Sequence, residues 1–133
     1  MARILCLAPS GFGKSTGTGN IDDPDNDIKF EGLNPEESYI LSKTTKPLPY
    51  RGQAKQWPIA PLETLSLGRR VICKTPADAV MALEGLLQAP VKNIVLDDFN
   101  YYMQDWYMDN DLRTGWDAPK QIGFDTGKIF KAI

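Results

Sequence analysis

The stretch ILCLAPSGFGKSTGTGN (residues 4–20) decides the fold. Residues 3–8 (RILCLA) form a short apolar run bounded by Pro9 and Gly11, the pattern of a strand buried inside a sheet. The run leads into a loop rich in glycine and ending in lysine and serine. Gly11 and Gly13 let backbone amides turn inward and approach an anion without a Cβ clash. The segment APSGFGKS (residues 8–15) fits the phosphate-loop pattern G-x-x-x-x-G-K-[S/T], with Ala8 in place of the first glycine.

This loop predicts a nucleotide site built from Ser10, Gly11, Phe12, Gly13, Lys14, Ser15 and Thr16. Lys14 reaches the β- and γ-phosphates and takes a catalytic role, the Ser15 hydroxyl ligates Mg²⁺, and Thr16 adds an α-phosphate contact. The start of the following helix presents its positive dipole end. Gly17 and Gly19 interrupt that helix, each costing about 1 kcal/mol relative to alanine. It is therefore expected to be short, frayed or bent before Ile21. Phosphate contacts come from the first turn, so binding is expected to survive.

Downstream, NIVLDD (residues 93–98) ends a strand on two carboxylates, the arrangement of a Walker B strand. Asp97 is the expected second metal residue beside Ser15. Asp98 sits where a carboxylate polarises an attacking water, although glutamate is commoner there and aspartate is shorter. The plainer alternative is that the glycines make a turn and the carboxylates end a strand. Both motifs occurring in the right order favours the nucleotide reading.

The remaining chain alternates strand and helix signals. SYILS (residues 38–42), RVICK (70–74) and VKNIVLDDF (91–99) read as strands, the last buried on both faces. TPADAVMALEGLLQAP (75–90) reads as a helix capped by Thr75 with Pro76 in its first turn and stopped by Pro90. Its expected apolar face is Val80, Leu83, Leu86 and Leu87. Residues 21–35 read as an irregular excursion, and Pro47 and Pro49 exclude helix or central strand from residues 46–52. Residues 100–109 and 115–133 look helical, broken around residues 110–115 and perturbed by Pro119. Alternating elements predict an α/β fold with a mostly parallel sheet.

Composition narrows the chemistry. The 133 residues suit one domain, with 42% hydrophobic and 24% charged residues. The net charge of -2 supplies no global attraction to nucleic acid. The absence of histidine excludes imidazole catalysis and histidine-containing zinc sites. Cys6 and Cys73 lie in apolar runs and are expected as buried free thiols in a reducing, cytoplasmic setting. No run approaches a membrane span or a signal-peptide core.

Taken together, SGFGKST, GLNPEESYILSKTTKPLPYRG, NIVLDDFNYYM and GWDAPKQIGFDTGKIFKAI resemble phage-encoded RecA-like or AAA-type P-loop ATPases, some of which act as single-strand-annealing recombinases. The resemblance implies a RecA-like parallel sheet flanked by helices, with the P-loop and Walker B strands adjacent at its centre. It also implies ATP and Mg²⁺ as ligands and a part in phage DNA recombination in the host cytoplasm. The family fold continues into further strands, which carry a γ-phosphate-sensing polar residue and sometimes an arginine for a neighbour's site. Here Ile129, Phe130 and Ile133 form an expected core-facing stripe that runs to the last residue. A truncated domain lacking the C-terminal strands is therefore expected, with a protein partner or another copy covering the exposed sheet edge.

Three further features have two readings each. The aromatics of YYMQDWYM (101–108), Tyr102 and Trp106 among them, either stack single-stranded DNA bases or pack a helix on the sheet; packing is favoured. Lys43, Lys46, Tyr50 and Arg51 line either a DNA channel or partner surface or a solvated connecting loop, the last favoured, and Arg69, Arg70 and Lys74 form a modest basic patch of the same ambiguity. The acidic run 22–27 lacks the glycine and distal glutamate of a calcium loop and reads as solvated. The leading expectation is a Mg-ATP-binding protein whose hydrolysis is weak or partner-dependent. The alternative is a non-enzymatic interaction or inhibitor protein, for instance against a host system, that reuses the nucleotide-binding half as a scaffold.

Overall fold

The computed structural model describes residues 12–63, 69–102, 104 and 117–132. The expected first strand with Cys6, the loop residues Ser10 and Gly11, Trp106, the break at 110–115 and Ile133 lie outside the described residues.

The chain is α/β. Among the described residues, six strands, β1 (Ile21–Asp23), β2 (Ile28–Phe30), β3 (Ser38–Ser42), β4 (Ile59–Ala60), β5 (Arg70–Ile72) and β6 (Asn93–Asp97), accompany helices α1 (Gln53–Gln56), α2 (Pro76–Leu86) and α3 (Asp117–Ala132). A four-stranded, all-parallel sheet runs in the order β4-β5-β3-β6. Residue Ser42 stands opposite both Ile72 and Asp97, so the carboxyl ends of β3, β5 and β6 share one edge.

Alternation along β3 sorts its side chains to two faces. Tyr39 and Leu41 join Val71, Cys73 and the buried α2 residues Ala79, Ala82, Leu83 and Leu86, with Tyr102 and Ile129 completing that layer. Ile40 faces the other way onto Leu48 and Trp57, flanked by Leu33, Tyr50 and Val95. Among the described residues, helices cover one face of this sheet, as the expected parallel sheet flanked by helices requires, and the proline-stiffened segment leading to Trp57 covers the other.

Thr75 caps α2 as anticipated. Its hydroxyl accepts from the Asp78 N–H at 3.1 Å and the Asp78 carboxylate accepts from the Thr75 N–H at 2.9 Å, a reciprocal capping box with Pro76 in the first turn. The buried stripe of α2 differs from the expected one. Val80 is half-buried and Leu87, just past the helix, is 44% exposed, while small Ala79 and Ala82 meet the sheet. In α3, Ile129 is fully buried but Phe130 is half-exposed and rests against the Phe99 ring at 5.2 Å.

Residues 21–35 are more ordered than expected. β1 and β2 pair antiparallel, from Ile21 opposite Phe30 to Asp23 opposite Ile28. Pro24 falls in the turn rather than the ladder. Asn26 closes that turn by donating from its side chain and backbone to Asp23, and Asp27 takes a left-handed φ of 52°. β6 pairs with β3 alone among the described residues and is half-buried rather than buried. Cys73 is buried and free; burial pushes its thiol up to about 12.

Candidate functional site

The described part of the glycine-rich loop meets the carboxyl edge of the sheet. Gly13 has φ of 79°, a left-handed conformation that glycine adopts without steric cost. The chain then makes one tight turn, a 3₁₀ segment at Thr16–Thr18. The Gly17 N–H donates to the Gly13 carbonyl at 3.1 Å and the Gly19 N–H to the Thr16 carbonyl at 3.1 Å. Gly19 is extended, with φ of -98°, and the chain proceeds to β1. The early end of the helix is the expected consequence of the two glycines.

Ser15 Oγ donates to Asp97 Oδ1 at 2.9 Å, across 82 residues of sequence. The two residues expected to share a metal therefore touch. Both are half-buried, whereas Lys14 and Phe12 are exposed, Phe12 by 75%. Thr16 is half-buried beside them.

Asp98 follows at the strand end with a left-handed φ of 61°. Thr44 Oγ1 donates to its Oδ2 at 3.2 Å. Burial and the neighbouring Asp97 raise its pKa above the usual carboxylate range, against the Thr44 hydrogen bond and the positive charges of Arg70 and Lys46.

Arg70 corrects the surface-patch expectation. It is 1% exposed. Its Nε donates to Ser42 Oγ and its Nη2 to the Thr44 carbonyl, both at 2.9 Å. Burial lowers its pKa and the charges of Asp97 and Asp98 oppose that. Arg70 stands opposite Ile40 in the register, so its guanidinium extends toward the carboxyl edge and secures the segment that presents Thr44.

A second set of contacts fixes the loop exit. Thr18 Oγ1 donates to the Ser15 carbonyl at 2.8 Å, so the Tyr50 hydroxyl at 3.2 Å must donate to it. Asn20 and Gln56 exchange hydrogen bonds at 2.9 and 2.7 Å. A Cβ on Gly19 would stand 2.3 Å from the Tyr50 ring.

Sequence reasoning missed Ser42 and Thr44, the inward role of Arg70, and the part of Tyr50 in holding the loop exit. A usable signal existed in SYILSKTT: Ser42 and Thr44 are two residues apart at the end of an apolar strand and so project to the same side. Tyr102 takes the packing role, 2% exposed with its hydroxyl donating to the Cys73 carbonyl at 2.6 Å. Lys43 lies over its ring at 5.6 Å.

Ser15, Asp97 and Asp98 are hard oxygen donors. Among the described residues no group of three or more His, Cys, Asp or Glu side chains clusters as a metal cage. An ion held here draws on Ser15, one or two carboxylates, water and ligand oxygens, the donor set that suits Mg²⁺ with a phosphate. No helix among the described residues is long and apolar enough to cross a membrane. Comparison with protein-family models, curated proteins and solved structures gave no match.

Proposed function

We propose that this chain binds Mg-ATP through residues 8–16 and the carboxyl end of β6, as a RecA-like P-loop protein of phage DNA metabolism. The observation that carries the reading is the 2.9 Å contact between Ser15 and Asp97. It joins a glycine-rich loop to a carboxylate at the carboxyl edge of a parallel sheet, where ligands of open α/β sheets bind. Lys14 supplies the cation for the β- and γ-phosphates, and Ser15 and Asp97 hold Mg²⁺. When bound, the ion neutralises developing phosphate charge.

Asp98 is the candidate for orienting water. An aspartate at this position reaches less far than a glutamate. Hydrolysis is accordingly slow or dependent on a partner.

Calorimetric titration of Mg-ATP into the intact chain and into Lys14→Ala tests the reading. Saturable binding by the first and loss of at least about tenfold in affinity in the second supports it. A folded chain that binds no nucleotide sinks it.

The non-enzymatic alternative draws on apolar surface: Met81 on α2 and Phe124 and Phe130 on α3 are 51–60% exposed. It predicts association with a protein partner that survives Lys14→Ala.

A further inference from the structure

Thr44 joins Asp98 to two cationic residues of different character. Arg70 is buried and committed, with hydrogen bonds to Ser42 and Thr44. Lys46 is exposed, on the loop that leaves β3. Its backbone N–H donates to Thr44 Oγ1 at 3.4 Å, and that hydroxyl donates to Asp98 Oδ2 at 3.2 Å. One threonine side chain thus separates the Lys46 backbone from the carboxylate.

The loop carrying Lys46 is anchored. Pro47 and Pro49 fix φ on either side of Leu48, which is 4% exposed and packs with Ile40 and Trp57. A lysine here is therefore a flexible four-carbon arm on a fixed base. Fixing the base in advance lowers the ordering cost of any contact that the arm makes.

Charge balance gives the arm a task. Asp97 and Asp98 place adjacent carboxylates at the edge where a polyphosphate would lie, and the buried Arg70 donates inward. Ser15 and Asp97 would hold a metal that neutralises phosphate charge, and a terminal phosphoryl group beyond it would face Asp98 and the segment that carries Lys46. A diphosphate would lack that group.

The geometry points to Lys46 as a second phosphate-contacting cation, beside Lys14, that recognises the terminal phosphoryl group of a nucleoside triphosphate. The assignment rests on the nucleotide reading above. It gives the basic segment KTTKPLPYRG a role at the site in place of a solvated connector or a DNA channel.

Titration of Mg-ATP and Mg-ADP into the wild-type chain, Lys46→Ala, Lys46→Gln and Lys46→Arg tests it, with thermal unfolding to verify that each variant is folded. The wild type is expected to prefer the triphosphate. Both neutral variants should lose about tenfold in triphosphate affinity with diphosphate affinity unchanged, and Lys46→Arg should restore most of the loss. If the neutral variants keep the wild-type ratio of triphosphate to diphosphate affinity, or weaken both ligands alike, the assignment to the terminal phosphate is wrong and the nucleotide reading stands. If the wild type binds neither nucleotide, both are wrong.

Discussion

Gly19 shows how closely the exit of the glycine-rich loop is fitted to its surroundings. Its φ of -98° suits any residue, so the glycine is required by space, the Tyr50 ring occupying the position of a side chain. Gly19→Ala should cost about 1–3 kcal/mol through overpacking. In a denaturant-unfolding cycle, the cost should shrink when combined with Tyr50→Ala, because the smaller residue vacates the space. Asp98 illustrates a different constraint. Folding raises its pKa, so its stability contribution is greatest below the unfolded carboxyl value near 3.8 and is lost as pH rises through the folded value. In metal-free protein, Asp98→Asn should therefore raise Tm at pH 7, with the gain shrinking as pH falls toward 4. Asparagine tolerates the left-handed backbone at this position, whereas Asp98→Ala should be about 1 kcal/mol less stable than Asp98→Asn. Equal Tm values for the two variants would contradict the strained-backbone account.

At the scale of elements, α2 is set by its first turn. Thr75→Ala removes half of the capping box and should cost about 1 kcal/mol, read as a shift in the denaturant midpoint at constant m. α2 and β3 were legible because strong local signals agree with their packing: a Thr-Pro start for the first, an apolar SYILS buried at all five positions for the second. The β1–β2 hairpin was not. Ile28, Lys29 and Phe30 alternate for only three residues and are all exposed, too short a pattern to outweigh the turn residues around it. α1 spans four residues and β4 two, too short for either period to register. Arg70 was misread because a charged residue at a strand start looks solvated. Its burial depends on Ser42 and Thr44, 28 and 26 residues away, pairings that no local pattern encodes. Ser15, Asp97 and Asp98 stood out in the sequence because each closes a motif whose residue types follow from phosphate and metal chemistry, and the fold brings Ser15 and Asp97 into contact.

For the whole molecule, one sheet separates two apolar layers. The α2 layer is the larger and includes Tyr39, Leu41, Val71 and Tyr102. Leu83, 2% exposed within it, should cost about 2–5 kcal/mol when replaced by alanine, measurable as a lower unfolding midpoint. The opposite layer of Ile40, Leu48 and Trp57 holds the segment that carries Thr44 and Lys46 against the site. Core and site thus meet along the carboxyl edge of β3 and β6.

The contact between Ser15 and Asp97 is the centre of the account, and its most direct test is the metal dependence of ATP binding. ATP affinity should be measured with Mg²⁺ and with chelator, in the wild-type chain and in Asp97→Asn. The account predicts that Mg²⁺ tightens binding to the wild type and that Asp97→Asn removes about 10–100-fold of affinity with the metal, but not without it. Equal metal dependence in the two proteins would contradict the assignment of Ser15 and Asp97 as a magnesium–nucleotide site.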